Sequence, residues 1–89
     1  MTDEQASEKK LIGEVTHFFG KISVAAIKLT DTLKVGDTIS IEGATTNFTQ
    51  SVESMQIENE DISEAKTGDE IGIKITDKAR EGDAVYLNL

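Results

Sequence analysis

The chain has 89 residues, with 17 acidic and nine basic side chains and a formal net charge of −8. This length supports one domain with a modest core, and the absence of cysteine excludes disulfides and thiolate chemistry. The acidic balance counts against general nucleic-acid binding, because that affinity comes mostly from neutralising phosphates. No apolar run approaches the roughly 20 residues of a membrane span. The sequence therefore predicts a cytoplasmic protein that does not bind a membrane.

The N-terminal residues 1–8 are polar and acidic, which is typical of a disordered lead-in rather than of a signal peptide. The folded domain is predicted over residues 9–89. Its first strand is predicted from Lys10 to Phe18, with Ile12 and Val15 facing the core.

The second strand is predicted over residues 21–29, where the spacing of apolar residues changes. They occupy one parity in the first half and the opposite parity in the second: Ile22, Val24 and Ala26, then Ile27 and Leu29. A one-residue slip moves side chains to the other face of a sheet, so the pattern predicts a β-bulge at residues 25–27.

The rest of the chain continues as short alternating segments. Leu33 and Val35 are predicted to plug the interior of the domain. Residues 58–66 are predicted to be a loop or a single helical turn. Further strands are predicted at Thr38–Glu42, Phe48–Ile57, Glu70–Thr76 and Asp83–Leu87. The apolar spacing also changes within Phe48–Ile57, which predicts a second bend there. About six short, closely spaced strands predict an all-β fold, a small closed antiparallel β-barrel.

A Gly-Asp pair recurs two residues after a basic residue. The copies are Lys34-Val35-Gly36-Asp37, Lys66-Thr67-Gly68-Asp69 and Arg80-Glu81-Gly82-Asp83. Glycine takes the positive φ of a tight turn, and aspartate accepts hydrogen bonds from the amides of the turn. The aspartates lie far apart in sequence, unlike a compact set of calcium ligands. We therefore predict turn capping, with no metal and no cofactor.

Five segments of the chain carry a resemblance to a known family. They are Gly13-Glu14-Val15, Leu33 to Ile39, Val52-Glu53-Ser54-Met55-Gln56, Ala65 to Ile73, and Arg80 to Val85. In this order they resemble the second domain of the translational GTPases, the barrel that follows the nucleotide-binding domain in elongation factor Tu. The same segments resemble a C-terminal module of the collagenase-like peptidases, and the stretch from Phe19 to Gln56 is more similar to that version.

The translation-factor resemblance implies a closed barrel of the domain 2 type. In elongation factor Tu this domain helps to hold the aminoacylated end of tRNA, with an acidic residue in the segment that matches residues 52–56. This chain has Gln56 there, and Glu14 stands where a basic residue is common. Gly20-Lys21 is not part of a phosphate-binding loop, since isoleucine follows it. We therefore predict no GTP binding.

A candidate binding face is predicted on the first two strands and the segment that ends at Gln56. His17 would donate a hydrogen bond to a ligand, with the adjacent Phe18 and Phe19 as a stacking platform. Lys21 and Lys28, both in the predicted second strand, would form a basic stripe. The alternative for His17 is a partly exposed histidine at the end of a strand, without a binding role. The alternative for the two lysines is the ordinary polar face of a half-buried strand. The predicted face comprises His17, Phe19, Lys21, Lys28 and Gln56.

No catalytic constellation is evident, because a single histidine without a partner nucleophile does not make a triad. The first hypothesis is a non-catalytic, free-standing binding module that docks on a protein or RNA partner of the translation apparatus. The alternative is an accessory subunit or detached C-terminal module of a collagenase-like peptidase or RNA-modifying enzyme. An enzyme in its own right is a third class. The oligomeric state stays open.

Overall fold

The computed structural model describes residues 9–88, and these residues form an all-β fold, as predicted. The predicted lead-in, residues 1–8, lies outside the described residues. Over the described range the strands are β1 Lys9–Phe19, β2 Val24–Leu29, β3 Leu33–Lys34, β4 Thr38–Glu42, β5 Asn47–Ser51, β6 Met55–Ile57, β7 Glu60–Ile62, β8 Glu64–Ala65, β9 Glu70–Lys74 and β10 Ala84–Asn88. The loop or helical turn predicted for residues 58–66 is wrong, because β7 and β8 lie there. None of the described residues forms a helix that is long and apolar enough to cross a membrane.

The strands form one eight-stranded sheet and one small two-stranded sheet. The order in the larger sheet is β5-β4-β10-β1-β2-β9-β6-β7, and β3 pairs with β8 in the smaller one. Every strand pairing in the described residues is antiparallel. The larger sheet is open rather than a closed six-stranded barrel, since its edge strands β5 and β7 are not paired with each other.

The sheet stays open because the predicted strand 48–57 is interrupted at Val52. The Val52 amide donates to the carbonyl of Asp37 at 2.8 Å, and its carbonyl accepts from the Gly36 amide at 2.8 Å. These bonds tie Val52 to the first Gly-Asp turn, so the chain leaves the sheet after β5 and re-enters at β6.

The Gln50 side chain joins β5 to the chain at the end of β9. Its Nε2 donates to the carbonyl of Lys74 at 3.0 Å, and its Oε1 accepts from the Thr76 amide at 2.7 Å. One side-chain amide therefore takes the place of a pair of ladder hydrogen bonds where the larger sheet does not close.

Replacing Gln50 with alanine should lower the free energy of unfolding by about 1–2 kcal/mol, because two hydrogen bonds across this gap are lost. Gln56→Ala is the matched control, since Gln56 is exposed and donates only to the Asp61 side chain at 2.9 Å. Its cost should stay within about 0.5 kcal/mol, as for most surface changes. Urea unfolding followed by circular dichroism measures both. Equal losses for the two glutamines would contradict a bridging role for Gln50.

The three Gly-Asp turns have the predicted geometry. Gly36, Gly68 and Gly82 have φ of 101°, 93° and 92°, a region that L-residues with a side chain rarely adopt. The following aspartate accepts a hydrogen bond from the amide of the basic residue three positions earlier, at 3.0, 2.9 and 2.8 Å. Turn capping by these aspartates is confirmed.

The core lies on the inner face of the curved sheet. Ile12 and Val15 face it, as predicted, with exposures of 0% and 1%. Its fully buried larger side chains are Ile12, Val15, Ile27, Leu29, Leu33, Ile39, Ile41, Val52, Met55, Ile71, Ile73 and Val85. Of the two predicted plug residues, Leu33 is buried, whereas Val35 is 40% exposed and does not enter the core.

Candidate interaction groove

A shallow groove of about 460 Å³ lies on the outer face of β1, β2, β9 and β6. It is lined by His17, Phe19, Ile22, Val24, Ala26, Gln56, Glu58, Asn59, Glu70, Ile71 and Gly72. The structure therefore brings together three of the five predicted face residues, which are His17, Phe19 and Gln56. We call this surface the outer groove.

The floor of the outer groove is apolar because β2 presents small apolar side chains outward. In β2 the buried residues are at positions 25, 27 and 29, which all lie on one face of the strand. Val24 and Ala26 therefore point away from the core. Gly72 of β9 pairs with Ala26 and with Gln56 of β6. The outer face of an antiparallel sheet is usually polar, so this face departs from the rule.

The bulge predicted in the second strand is wrong. Residues 24–28 pair with β9 without any shift. The register shifts occur in β1, between Leu11 and Gly13 and between Val15 and His17. The apolar residues at 22, 24 and 26 belong to the outer surface rather than to a slipped core face. Ile22 is 59% exposed and Phe19 is 46% exposed, so both stand at the groove as uncovered apolar side chains.

The rings of His17 and Phe19 are in contact at one side of the groove. Their ring centroids are 4.4 Å apart with the planes tilted by 57°, and His17 Nδ1 lies 3.0 Å from Glu81 Oε2. The predicted platform of Phe18 and Phe19 is corrected by this geometry, because Phe18 is half-buried and packs against the core. The exposed aromatic surface consists of His17 and Phe19, and Glu81 holds the imidazole.

The opposite side is the two-residue turn between β6 and β7. Glu58 and Asn59 have φ of 52° and 68°, which matches a type I′ hairpin turn. Such backbone is ordinary for asparagine but costs glutamate on the order of 1 kcal/mol. The pairing of Ile57 with Glu60 and the bond from Gln56 Nε2 to Asp61 keep the turn in place. Glu58 therefore lines the groove from a backbone conformation that is unfavourable for glutamate.

The remaining predicted face residues, Lys21 and Lys28, do not line the groove. Lys21 lies in the turn between β1 and β2, so the two lysines do not form a stripe along one strand. Lys28 pairs in register with Glu14 on one side and Glu70 on the other. Their predicted part in binding stays a prediction.

Other lysines at the surface are also matched by acids. Lys9 pairs with Glu42 and Lys10 with Asp31. The Lys10 side chain, together with the Thr32 amide, holds the pKa of the Asp31 carboxyl below its ordinary value of 3.8. These ion pairs leave little unopposed positive charge on β1.

A second cleft, of about 470 Å³, lies at one end of the sheet among the loops. Its charged side chains are Asp77, Lys78 and Arg80, next to the polar loop of Thr45 and Asn47. The charges are mixed and the loops are polar. Phe18 and Ala79 are the apolar residues of this cleft, and it lacks the exposed aromatic pair of the outer groove. Within residues 9–88, no group of three histidine, aspartate or glutamate side chains is placed to hold a metal ion.

Comparison with known proteins finds similar curated proteins and similar solved structures. No family model matches the chain. A protein of Methanocaldococcus jannaschii named as an uncharacterized protease is 49% identical over 77 residues, which is 85% of this chain and 19% of that protein. A collagenase of Porphyromonas gingivalis is 31% identical over 81 residues, 89% of this chain and 22% of the collagenase. The chain thus spans about a fifth of the length of these curated relatives.

The fold matches a domain that has been crystallised. The C-terminal domain of a Geobacillus thermoleovorans protein described as a U32 peptidase superposes with a TM-score of 0.84 over all of both chains, at 15% identity. A selenomethionine variant of that domain gives a TM-score of 0.81 over 85% of this chain and 96% of the other, at 18% identity. At these identities the likeness shows the fold alone.

These findings correct the first hypothesis. The relatives are named proteases and collagenases, and the matching fold is the C-terminal domain of a protein described as a U32 peptidase. The prediction of a module of the translation apparatus is therefore wrong. The resemblance to the peptidase-associated module is supported, whereas the link to elongation factor Tu is not shown.

Proposed function

We propose that this chain is a non-catalytic interaction module of a collagenase-like peptidase, and that its outer groove docks on the catalytic region of such an enzyme. The observation that carries the proposal is the extent of the sequence match. Relatives named proteases align with 85% and 89% of this chain, yet the chain accounts for only 19% and 22% of them. The remainder of each relative is long enough to hold a separate catalytic domain.

The chemistry of the described residues supports a binding role. His17, the one histidine in the chain, contacts Glu81 and Phe19 rather than a serine or threonine hydroxyl. A nucleophile within reach of a base is the first requirement for covalent hydrolysis, and this histidine does not supply it. What the outer face offers instead is exposed apolar surface at Phe19 and Ile22. Because these two side chains line the same groove, they support a contact with another molecule.

The groove also suits a protein partner in its layout. A hydrophobic centre with a polar rim is typical of protein interfaces, and aromatic residues are enriched there. Here Val24 and Ala26 supply the apolar floor with Phe19 and Ile22 beside it, while Gln56 and Asn59 supply the polar rim.

A binding experiment tests the proposal. The Methanocaldococcus jannaschii relative is prepared without the segment that matches this chain, and its affinity for this chain is measured by calorimetry. We expect the truncated relative to bind. The intact relative should bind more weakly, because its own module competes at high effective concentration.

Two variants locate the contact. Ile22→Ser should weaken binding about tenfold or more if Ile22 lies at the centre of the interface. Val35→Ser is the control, since Val35 is a 40% exposed apolar residue outside the groove. No binding to a folded truncated relative, or equal losses for the two variants, would overturn the proposal. If the truncated relative does not fold, a chimaera that carries this chain is used. There Ile22→Ser, and not Val35→Ser, should lower the melting temperature of the rest of the protein.

A further inference from the structure

We propose that the outer groove is specific for a polypeptide segment with one bulky apolar side chain flanked by lysine or arginine. This inference rests on the proposed function of the groove as a protein-binding surface, and it names the chemistry of the partner. It follows from three features of the groove, which are its floor, its charge and its unfavourable setting for phosphate.

The floor leaves room for a bulky side chain. Gly72 carries no side chain, and a Cβ there would lie 3.4 Å from Val24 Cγ1 and 4.0 Å from the carbonyl oxygen of Gln56. Any larger residue at this position would begin to fill the space above β9. With Ala26 beside it and Phe19 and Ile22 as exposed walls, the site accommodates an aliphatic or aromatic group. Removal of such a group from water favours binding.

The rim of the groove is acidic. Glu58 and Glu70 line it directly, and two more acids are bonded to lining residues, Asp61 to Gln56 and Glu81 to His17. Glu70 is also held in place, because its Oε2 accepts a hydrogen bond from Thr16 Oγ1 at 2.6 Å.

The basic residue near these acids is Lys28, which is opposite Glu70 in the strand pairing but does not line the groove. The local excess of negative charge attracts basic groups and repels acidic ones, and such complementarity determines which partners an interface accepts. The backbone cost of Glu58 is consistent with this role, since asparagine or glycine would fit that turn without strain.

The same charges argue against a nucleic acid as the occupant. The exposed aromatic pair of His17 and Phe19 offers a ring face on which a base could stack. However, phosphates that follow the base would approach Glu58, Glu70 and Glu81. The favourable electrostatic term on which nucleic-acid affinity depends is therefore reversed here. The aromatic pair is better matched to the apolar anchor of a basic peptide, which also allows a cation–π contact.

Three synthetic peptides test the inference by nuclear magnetic resonance titration of the uniformly ¹⁵N-labelled chain. The first, Thr-Lys-Thr-Phe-Thr-Lys-Thr, has the anchor and the basic flanks. The second replaces both lysines with glutamate, and the third replaces the phenylalanine with alanine. We expect the first to bind about tenfold or more tightly than either of the others, because it alone has both the anchor and the complementary charge. Its shifts should centre on the amides of Val24, Ala26 and Gly72.

Charge-neutral variants of the chain separate the rim from general acidity. Replacing both Glu58 and Glu70 with glutamine should reduce the preference for the basic over the acidic peptide to within about threefold. Replacing Glu53 and Glu64, two exposed acids outside the groove, is the control and should leave the preference unchanged.

Three outcomes would overturn the inference. These are equal binding of the basic and acidic peptides, shifts that centre outside the groove, and a heptauridylate that binds the groove more tightly than the basic peptide. These readouts are independent of the calorimetry with the truncated relative. If that protein binds through Ile22 while the peptides show no charge preference, the proposed function stands and only the partner chemistry fails.

Discussion

Leu33→Ala is expected to lower the free energy of unfolding by about 2–5 kcal/mol, the usual cost of emptying a fully buried leucine site. Val35→Ala, two residues away, should cost less than about 1 kcal/mol, because a partly exposed valine has less apolar surface to lose. Leu33 is 0% exposed and pairs with the equally buried Ala65 in the small β3–β8 sheet. Val35 is 40% exposed.

The reason for the large difference is the position of the small sheet. β3 and β8 contribute Leu33 and Ala65 to the same core as the strands of the large sheet. Removing the leucine side chain leaves a cavity next to Ala65. Because β3 and β8 are held together by backbone pairing, they cannot move inward to close it. The unoccupied volume, rather than the lost surface alone, then sets the cost.

Urea unfolding followed by far-ultraviolet circular dichroism compares the two variants under identical conditions. Leu33→Met keeps the volume nearly constant and should recover most of the stability, to within about 1.5 kcal/mol of the parent chain. Should Leu33→Ala prevent folding altogether, the methionine variant still decides the matter. Equal effects of the alanine changes at Leu33 and Val35 would show that the β3–β8 sheet does not seal the core.

The features of this fold that could be predicted from sequence are those that depend on neighbouring residues. Alternation at residues 38–42 and 70–76 predicts strands because a strand places successive side chains on opposite faces. β4 covers the first segment, and β9 covers the second as far as Lys74. The Gly-Asp turns are likewise local, since each hydrogen bond closes over three residues. Both predictions are confirmed for this reason.

Closure of the sheet could not be predicted, because distant residues decide it. Residues 48–57 have the composition of one long strand, yet Val52 is bonded to Asp37 and Gly36. The apolar residues change parity within the segment, from Phe48 and Val52 to Met55 and Ile57, and this predicts a bend. The partners that hold Val52 out of the sheet cannot be read from the segment itself. Gln50 likewise acts through Lys74 and Thr76, which lie in another part of the sequence.

The candidate site was partly predictable, and the missing part has a physical cause. The position and type of His17 and Phe19 predict them for the binding face, the family resemblance adds Gln56, and all three line the outer groove. The apolar floor was missed because outward apolar residues at 22, 24 and 26 look the same in sequence as inward ones. A strand that is apolar on both faces has no unique register. Since that ambiguity arises where apolar side chains face outward, it can itself be used as a signal for an interaction surface.

Gly43→Ala and Asp83→Ala should each destabilise the fold, and the two changes should not be additive. Asp83 is 6% exposed, and its Oδ2 accepts from the Arg80 amide at 2.8 Å. A Cβ on Gly43 would lie only 2.0 Å from Asp83 Oδ1. Removing the carboxylate should cost about 1.5–3 kcal/mol, as for a lost hydrogen bond to a charged group. The alanine at Gly43 should cost at least as much, because it displaces the same carboxylate from its turn.

In the double variant the methyl group enters space that the carboxylate has left, so it no longer clashes. The summed cost should therefore fall short of additivity by about 1–3 kcal/mol, within the range measured for directly contacting residues. Urea unfolding of the four proteins gives this coupling free energy, and Gly20→Ala serves as the control, since a Cβ there would be 3.6 Å from Phe18 Cε2. Strict additivity would mean that Gly43 is needed for its own backbone and not for Asp83. A coupling of the expected size would show that the third Gly-Asp turn depends on a glycine forty residues away. Because Gly43 follows β4 and Asp83 precedes β10, this contact connects the ends of two paired strands.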